Sequence, residues 1–249
     1  MTLPQTLPQT LAAPDARERA DSLAARYAPG DRLDLAGLLR DPTLGRTALV
    51  SSFGADSAVL LHLVLDAAPG TEVVFVDTGK HFPETLAYRD RLAAHLSIRT
   101  LTVVTPGPEA VQRTDPFGGL HLTDPDACCD LRKTRPLHGL LRGYDSWITG
   151  RKRAQAASRA ALGLIEADGA QVKINPLAGW TPADIEAHLD RHALPRHPLV
   201  AQGYPSIGCG PCTSPCAPGE DPRSGRWRGR AKTECGIHFG PAGAVRRAG

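Results

Sequence analysis

TALVSSFGADSAVLLHLVLDAA, residues 47–68, starts as a short apolar run, turns through SSFGADS (51–57), and continues with apolar residues at helical spacing. A strand that feeds a helix through a glycine-containing turn opens a βαβ unit, and the rest of the chain repeats the alternation. TEVVFVD (71–77), SIRTLTVV (97–104), YDSWITG (144–150) and AQVKINP (170–176) read as further strands, and FPETLAYRDRLAAHL (82–96) as a helix. Strands alternating with helices predict an α/β fold: a parallel sheet with helices on both faces. TPADIEAHLDRH (181–192) opens with Thr181, Pro182 and Asp184, a good helix start. Beyond it, residues 195–249 are rich in Pro, Gly, Arg and Cys and show no long helix or strand. The expected organisation is an N-terminal leader and helical segment (1–44), an α/β domain (45–194) and an irregular Cys-rich C-terminal segment (195–249).

Composition narrows the function classes. At 249 residues the chain can bury a full core, and six cysteines are too few for a disulfide scaffold, so reduced thiols are expected. The N-terminus MTLPQTLPQTLAAPDARERADS has no basic opening followed by an apolar core, so it does not read as a signal peptide. No run reaches the roughly 18 apolar residues of a membrane-spanning helix. A cytoplasmic enzyme with no membrane partner is the expectation. A net charge of +3 is too small for a polycation that coats nucleic acid. The basic residues are nevertheless bunched in LRKTR (131–135), GRKRAQAASR (150–159) and RSGRWRGRAK (223–232). Such runs are commonly solvated faces; three on separate segments also suit a small, strongly anionic ligand.

Three constellations carry chemistry. The SSFGADS turn offers backbone N–H groups, the positive end of a helix dipole and the hydroxyls of Ser51, Ser52 and Ser57, a setting for phosphate or sulfate. It is neither a Walker A loop nor GxGxxG. VDTGKHFPETL (76–86) follows the next strand, and ligands of open α/β sheets bind beyond the carboxyl ends of strands, so this loop is expected beside SSFGADS. The cysteines form the third set. Cys128-Cys129 together with Cys209-x2-Cys212 supply four thiolates from two segments, enough to surround zinc or an iron–sulfur cluster. Adjacent cysteines have little freedom to aim both sulfurs at one small ion, which favours [4Fe-4S] over zinc. Cys235, in KTECGIH beside RWRGRAK and three residues before His238, is a candidate nucleophile because nearby cations lower a thiol pKa. Cys216 has no such setting.

Taken together, SSFGADS, VDTGKHFPETL, CCDLRKTRPL, WITGRKRAQAASR, GYPSIGCGPCTSPCAPGEDPRSGRW and ECGIH resemble, in order, the motifs of the assimilatory sulfonucleotide reductases. These are the adenylyl-sulfate (APS) and phosphoadenylyl-sulfate (PAPS) reductases. The resemblance implies an adenine nucleotide α-hydrolase-like (PP-loop-type) sheet and a two-step thiol mechanism. Cys235 attacks the sulfate sulfur, AMP or its 3′-phosphorylated form leaves, and thioredoxin or a glutaredoxin-like reductant releases sulfite from an S-sulfocysteine. The family's Cys-Cys plus CxxC pattern marks members that carry one [4Fe-4S] cluster, most of which prefer APS; here the ligands would be Cys128, Cys129, Cys209 and Cys212. PAPS or dual specificity is the alternative.

Carried over by position, Ser51, Ser52, Phe53, Gly54, Ser57, Thr78 and Gly150 would line the nucleotide. Lys133, Arg159, Arg223, Arg226 and His238 would face the phosphosulfate. Lys133, four residues after Cys129, would tie the cluster to the sulfate electrostatically. The sequence departs from the family at Ala154-Gln155-Ala156, where an acidic residue, Gln and Ser are usual, and at Cys216. Asp56-Ser57 also matches ATP-splitting relatives, so an ATP pyrophosphatase of tRNA thiolation is a competing reading, as is a zinc-stabilised nucleic-acid module. The chain ends 14 residues after Cys235, so the reductant is expected to be a separate protein; a homo-oligomer is left open.

Overall fold

The computed structural model describes residues 15–156, 159–230, 232, 234 and 236. Helix α1 (Ala16–Tyr27) is capped by Asp15, whose carboxylate accepts from the Glu18 N–H, and is followed by the single turn α2 (Leu35–Leu38). The βα alternation then begins with β1 (Thr47–Val50), α3 (Ser57–Ala67), β2 (Glu72–Val76), α4 (Pro83–His95) and β3 (Leu101–Val104). A broken helical stretch follows: α5 (Pro108–Thr114), α6 (Leu120–Thr123), α7 (Pro125–Cys129), a π-helical turn over Asp130–Thr134, and α8 (Arg135–Leu141). The chain returns to the sheet as β4 (Ser146–Ile148), β5 (Ile165–Asp168) and β6 (Gln171–Ile174), then forms α9 (Pro182–Arg191). Thr181 caps α9 reciprocally with Asp184, as its sequence leads one to expect.

The six strands form one sheet in the order β3-β2-β1-β4-β6-β5. All neighbours are parallel except β5 and β6, which pair antiparallel. The expectation of a parallel sheet is corrected at this edge. Two residues, Gly169 (φ +62°) and Ala170, join β5 to β6, and so short a link can make only a hairpin.

Alternation along the strands gives the sheet two apolar faces. Leu49, Val73, Phe75, Ile148, Val172 and Ile174 pack with α1, α3 and α9, whereas Ala48, Val74, Val76 and Trp147 pack with Leu137 and Leu141 of α8. Helices therefore cover both faces, as the sequence pattern predicts. Asp41 ties α1 to the segment before β1: it accepts from Arg26 Nη1 at 2.5 Å, Tyr27 Oη at 2.8 Å and the Thr43 N–H at 2.8 Å. Among the described residues no helix is long and apolar enough to cross a membrane.

Candidate active site

Strand order reverses at β1, which has β2 on one side and β4 on the other, and the crevice outside such a switch point is the usual ligand site of an open α/β sheet. A cleft of about 430 Å³ opens there. The 51–57 loop after β1, Thr149–Lys152 after β4 and Pro205–Gly208 of the C-terminal segment contribute to its walls. Its size is that of a small-molecule pocket.

Within the loop, Ser51, Ser52, Gly54 and Ser57 line the cleft, and so does Gly150. Phe53 does not. Its ring is fully buried, edge-on to Phe75 at 5.5 Å, and its backbone takes the left-handed conformation (φ +48°). The strained residue of this turn is thus the phenylalanine, held by core packing, and not the adjacent glycine. Phe53 anchors the loop from below while its neighbours face the ligand space. Helix α3 opens without a side-chain cap: Asp56, at the cap position, places its carboxylate 2.5 Å from Lys152 Nζ. At the start of α3 the Ser57 N–H donates to the Gly54 carbonyl and the Val59 N–H to the Asp56 carbonyl, both at 3.2 Å, so the positive end of the helix dipole faces the cleft with its first turn closed on the loop itself.

The opposite wall is cationic. Lys133, Arg159, Arg223 and Arg226, from three segments far apart in sequence, all line the cleft. Arg159 makes a two-pronged pair with Glu234 at 2.6 and 2.8 Å, and Arg223 lies 3.5 Å from the same carboxylate. Two guanidiniums thus already hold an anionic group within the cleft. Arg226 stacks over the Trp227 ring at 4.5 Å, and its Nε is buried with no hydrogen-bond partner among the described residues, a donor that a ligand could take up. Gly208 lets the guanidinium lie where it does, because a Cβ at Gly208 would overlap it. Gly208→Ala should therefore swing Arg226 out of place and raise KM for an anionic substrate in the cleft by about tenfold, the equivalent of about 1.4 kcal/mol, with the fold unchanged by circular dichroism. Steady-state kinetics check this.

Behind the cationic wall, Cys128, Cys129, Cys209 and Cys212 line a second, smaller pocket together with Lys80, His121, Arg132 and Trp227. The sequence pairs are thus brought together. Cys128 and Cys129 close α7, and the π-helical turn that follows buries Arg132 and Lys133 side by side. Such turns occur often at functional sites. Arg132 is fixed by Asp115 at 2.7 Å and by the Thr78 carbonyl at 3.0 Å. Thr78 itself is fully buried, with Oγ1 3.3 Å from Cys209 Sγ, so it faces the cysteine pocket and not the nucleotide cleft. The family resemblance places Thr78 on the nucleotide; in the structure its side chain meets Cys209.

Burial alone would push the Cys209 thiol up, but Lys133, Thr78 and Arg226 together bring it below the ordinary thiol value. Burial raises Cys128 and Cys212, and the neighbouring thiols add to both shifts. Lys133 and Arg226 line both the cleft and the cysteine pocket. Cys216 lies apart from the four, within 3.3 Å of Ser224 Oγ. Cys235 and His238 lie outside the described residues. Lys152, Asp56 and Glu234 were not singled out as ligand residues by the sequence reading. The GRKRAQ run and the ECGIH motif contain two of them, but which of their charges face the cleft is set by the fold.

Several known proteins are similar to this chain. Residues 46–215 match the phosphoadenosine phosphosulfate reductase domain. The chain is 56% identical over 192 residues to an adenosine 5′-phosphosulfate reductase of Mesorhizobium japonicum, covering 77% of this chain and 76% of the relative. It is 44% identical over 227 residues to the enzyme of that name from Mycolicibacterium smegmatis, covering 89% and 94%. It is also 44% identical over 198 residues to a phosphoadenosine 5′-phosphosulfate reductase of Gloeobacter violaceus, covering 78% and 82%. Among solved structures, a phosphoadenylyl-sulfate reductase from Candida auris superposes with a TM-score of 0.64 at 25% identity, covering 84% of this chain and 98% of that one.

Proposed function

Because the chain belongs to the phosphoadenosine phosphosulfate reductase family, we propose that it reduces APS to sulfite and AMP through an S-sulfocysteine on Cys235, in sulfate assimilation towards cysteine. The observation that carries the reading is the shared position of Lys133 and Arg226, which line both the nucleotide cleft and the four-cysteine pocket. In this assignment residues 45–194 bind the nucleotide, and 195–249 supply two cysteine ligands, two arginines and the nucleophile.

Cys128, Cys129, Cys209 and Cys212 would hold one [4Fe-4S] cluster. The donor set fits: four thiols share one pocket ringed by Lys80, Arg132, Lys133 and Arg226, and the Trp227 indole N–H is buried with no partner among the described residues. A four-thiolate cluster is anionic and presents sulfur acceptors, which suits those cations and that donor. When bound, it supplies a compact negative charge against which Lys133 is held, with no electron passing to the substrate.

The protein's own groups do the rest. The 51–57 loop and the start of α3 receive the nucleotide, and Lys133, Arg159, Arg223 and Arg226 neutralise the phosphosulfate. Glu234 must give way to the substrate, since Arg159 and Arg223 cannot hold both anions. The Cys235 thiolate attacks the sulfate sulfur, the bond from sulfur to the AMP phosphate oxygen breaks, and AMP leaves with those electrons. One thiolate of a reduced thioredoxin, or of a glutaredoxin-like protein, then attacks Cys235 Sγ and expels sulfite. Its second thiol resolves the mixed disulfide, so the two reducing electrons come from the dithiol. A chemistry that runs on reduced thiols suits a cytoplasmic setting.

The relative of Gloeobacter violaceus named for PAPS supports a second reading, PAPS or dual use. Turnover of the iron-loaded protein with each nucleotide separates them. Sulfite release is expected to be faster with APS; faster release with PAPS would reverse the assignment.

A further inference from the structure

Helices α3 and α9 pack against each other on the face of the sheet away from the cysteines, and three histidines meet at their contact. His62 comes from the middle of α3. His188 and His192 lie one turn apart at the end of α9, in HLDRH, so both rings leave the same side of the helix. The ring centroids are 5.1 Å (His62 to His188), 4.4 Å (His62 to His192) and 4.3 Å (His188 to His192) apart. His188 Nε2 is 3.2 Å from His62 Nδ1, and one ring nitrogen from each histidine falls within 4.8 Å of the others.

We propose that His62, His188 and His192 form a binding site for a divalent transition-metal ion of the imidazole-preferring class, Zn²⁺ first, separate from the cysteine pocket.

Nitrogens bound to one tetrahedral zinc at about 2.0–2.1 Å lie about 3.3 Å from each other. The His62–His188 pair already has that spacing, and His192, exposed at the end of the helix, needs only a side-chain rotation to join. A fourth position stays open to water on the His192 side. The electrostatics favour a cation: the carbonyl end of α9 carries the negative pole of the helix dipole, and Asp66 sits one turn after His62 on α3. The charged and titratable groups facing the cluster are Asp66 and His95 towards His62, and Arg191 towards His188. The neutral imidazole is the form that binds a metal, and the three ring nitrogens stand within 4.8 Å of one another to do so. Trp180, 5.5 Å from His188, shields the buried side.

The site would act as a clamp. α9 contributes Pro182, Ile185, Glu186 and Leu189 to the cleft wall and α3 contributes Ser57 and Leu60, so an ion bridging the helices pins two walls of the nucleotide site together.

The test uses the full chain carrying its native iron, titrated with Zn²⁺ by calorimetry, with the zinc environment read by X-ray absorption. One equivalent with a nitrogen and oxygen shell of histidine type is expected. His192→Asn, a change at an exposed helix end, should weaken that binding at least about tenfold, as even loss of an outer-shell partner commonly does. His62→Gln should do the same, with a thermal melt showing the fold intact. Zinc held through sulfur and unaffected by His192→Asn, or no uptake below millimolar zinc, would overturn the site.

Discussion

Cys235→Ser is expected to abolish sulfite release while leaving iron content and the brown chromophore at the level of the unaltered protein. A serine hydroxyl at neutral pH is a far poorer nucleophile than a thiolate, and removing the attacking group of a covalent mechanism costs on the order of 10⁶ in turnover. The assignment rests on sequence: Cys235 is the cysteine of ECGIH, outside the four-cysteine set and close to the basic run 223–232. Its neighbour Glu234 is held in the cleft by Arg159 and Arg223. Normal turnover in Cys235→Ser would refute the nucleophile assignment, and Cys216→Ser with unchanged turnover would show that the effect is specific.

Cys209→Ala should lose the chromophore and nearly all iron, and with them the activity. Cys209 is held through both its backbone and its sulfur. Its backbone bridges to His81, the next amide, Gly210 N–H, donates to the Lys80 carbonyl at 2.8 Å, and its sulfur meets Thr78 Oγ1. Lys133, which favours the thiolate form of Cys209, loses that neighbour in the same substitution. The measurements are iron per chain and the visible spectrum, with circular dichroism to show that the sheet remains. Full iron in Cys209→Ala would contradict the ligand set.

How much of this is legible in the sequence follows from how local each signal is. β1, β2 and β4 are visible because buried parallel strands need apolar runs, β6 because Val172 and Ile174 alternate with polar residues, and α3, α4 and α9 because their apolar residues recur at helical spacing. β5 is invisible for the opposite reason: Ile165–Asp168 is a four-residue edge strand with only Ile165 buried, and its partner identifies it. The stretch from α5 to α8 has no periodic signature, since prolines and glycines cut it into single turns. The π-helical turn that presents Lys133 cannot be read from CCDLRKT.

Within the site, residue types are legible and directions are not. Phe53 and Thr78 stand in the right motifs, yet one packs into the core and the other onto Cys209. Lys152 finds Asp56 across 96 residues of chain, a pairing fixed by the neighbouring positions of β1 and β4. The histidine cluster shows the same limit. His188 and His192 announce a pair by spacing, whereas His62 joins them only through the packing of α3 on α9.

The central claim is that the sulfate sulfur passes through Cys235. The direct measurement is mass spectrometry of the iron-loaded protein after exposure to APS with no thiol reductant present, alongside assay of free AMP. The account predicts one sulfo group on the peptide containing Cys235, AMP released in equal amount, and loss of the adduct as sulfite when reduced thioredoxin is added. An iron-loaded protein that carries no sulfo group, or carries it on Cys216, would contradict it.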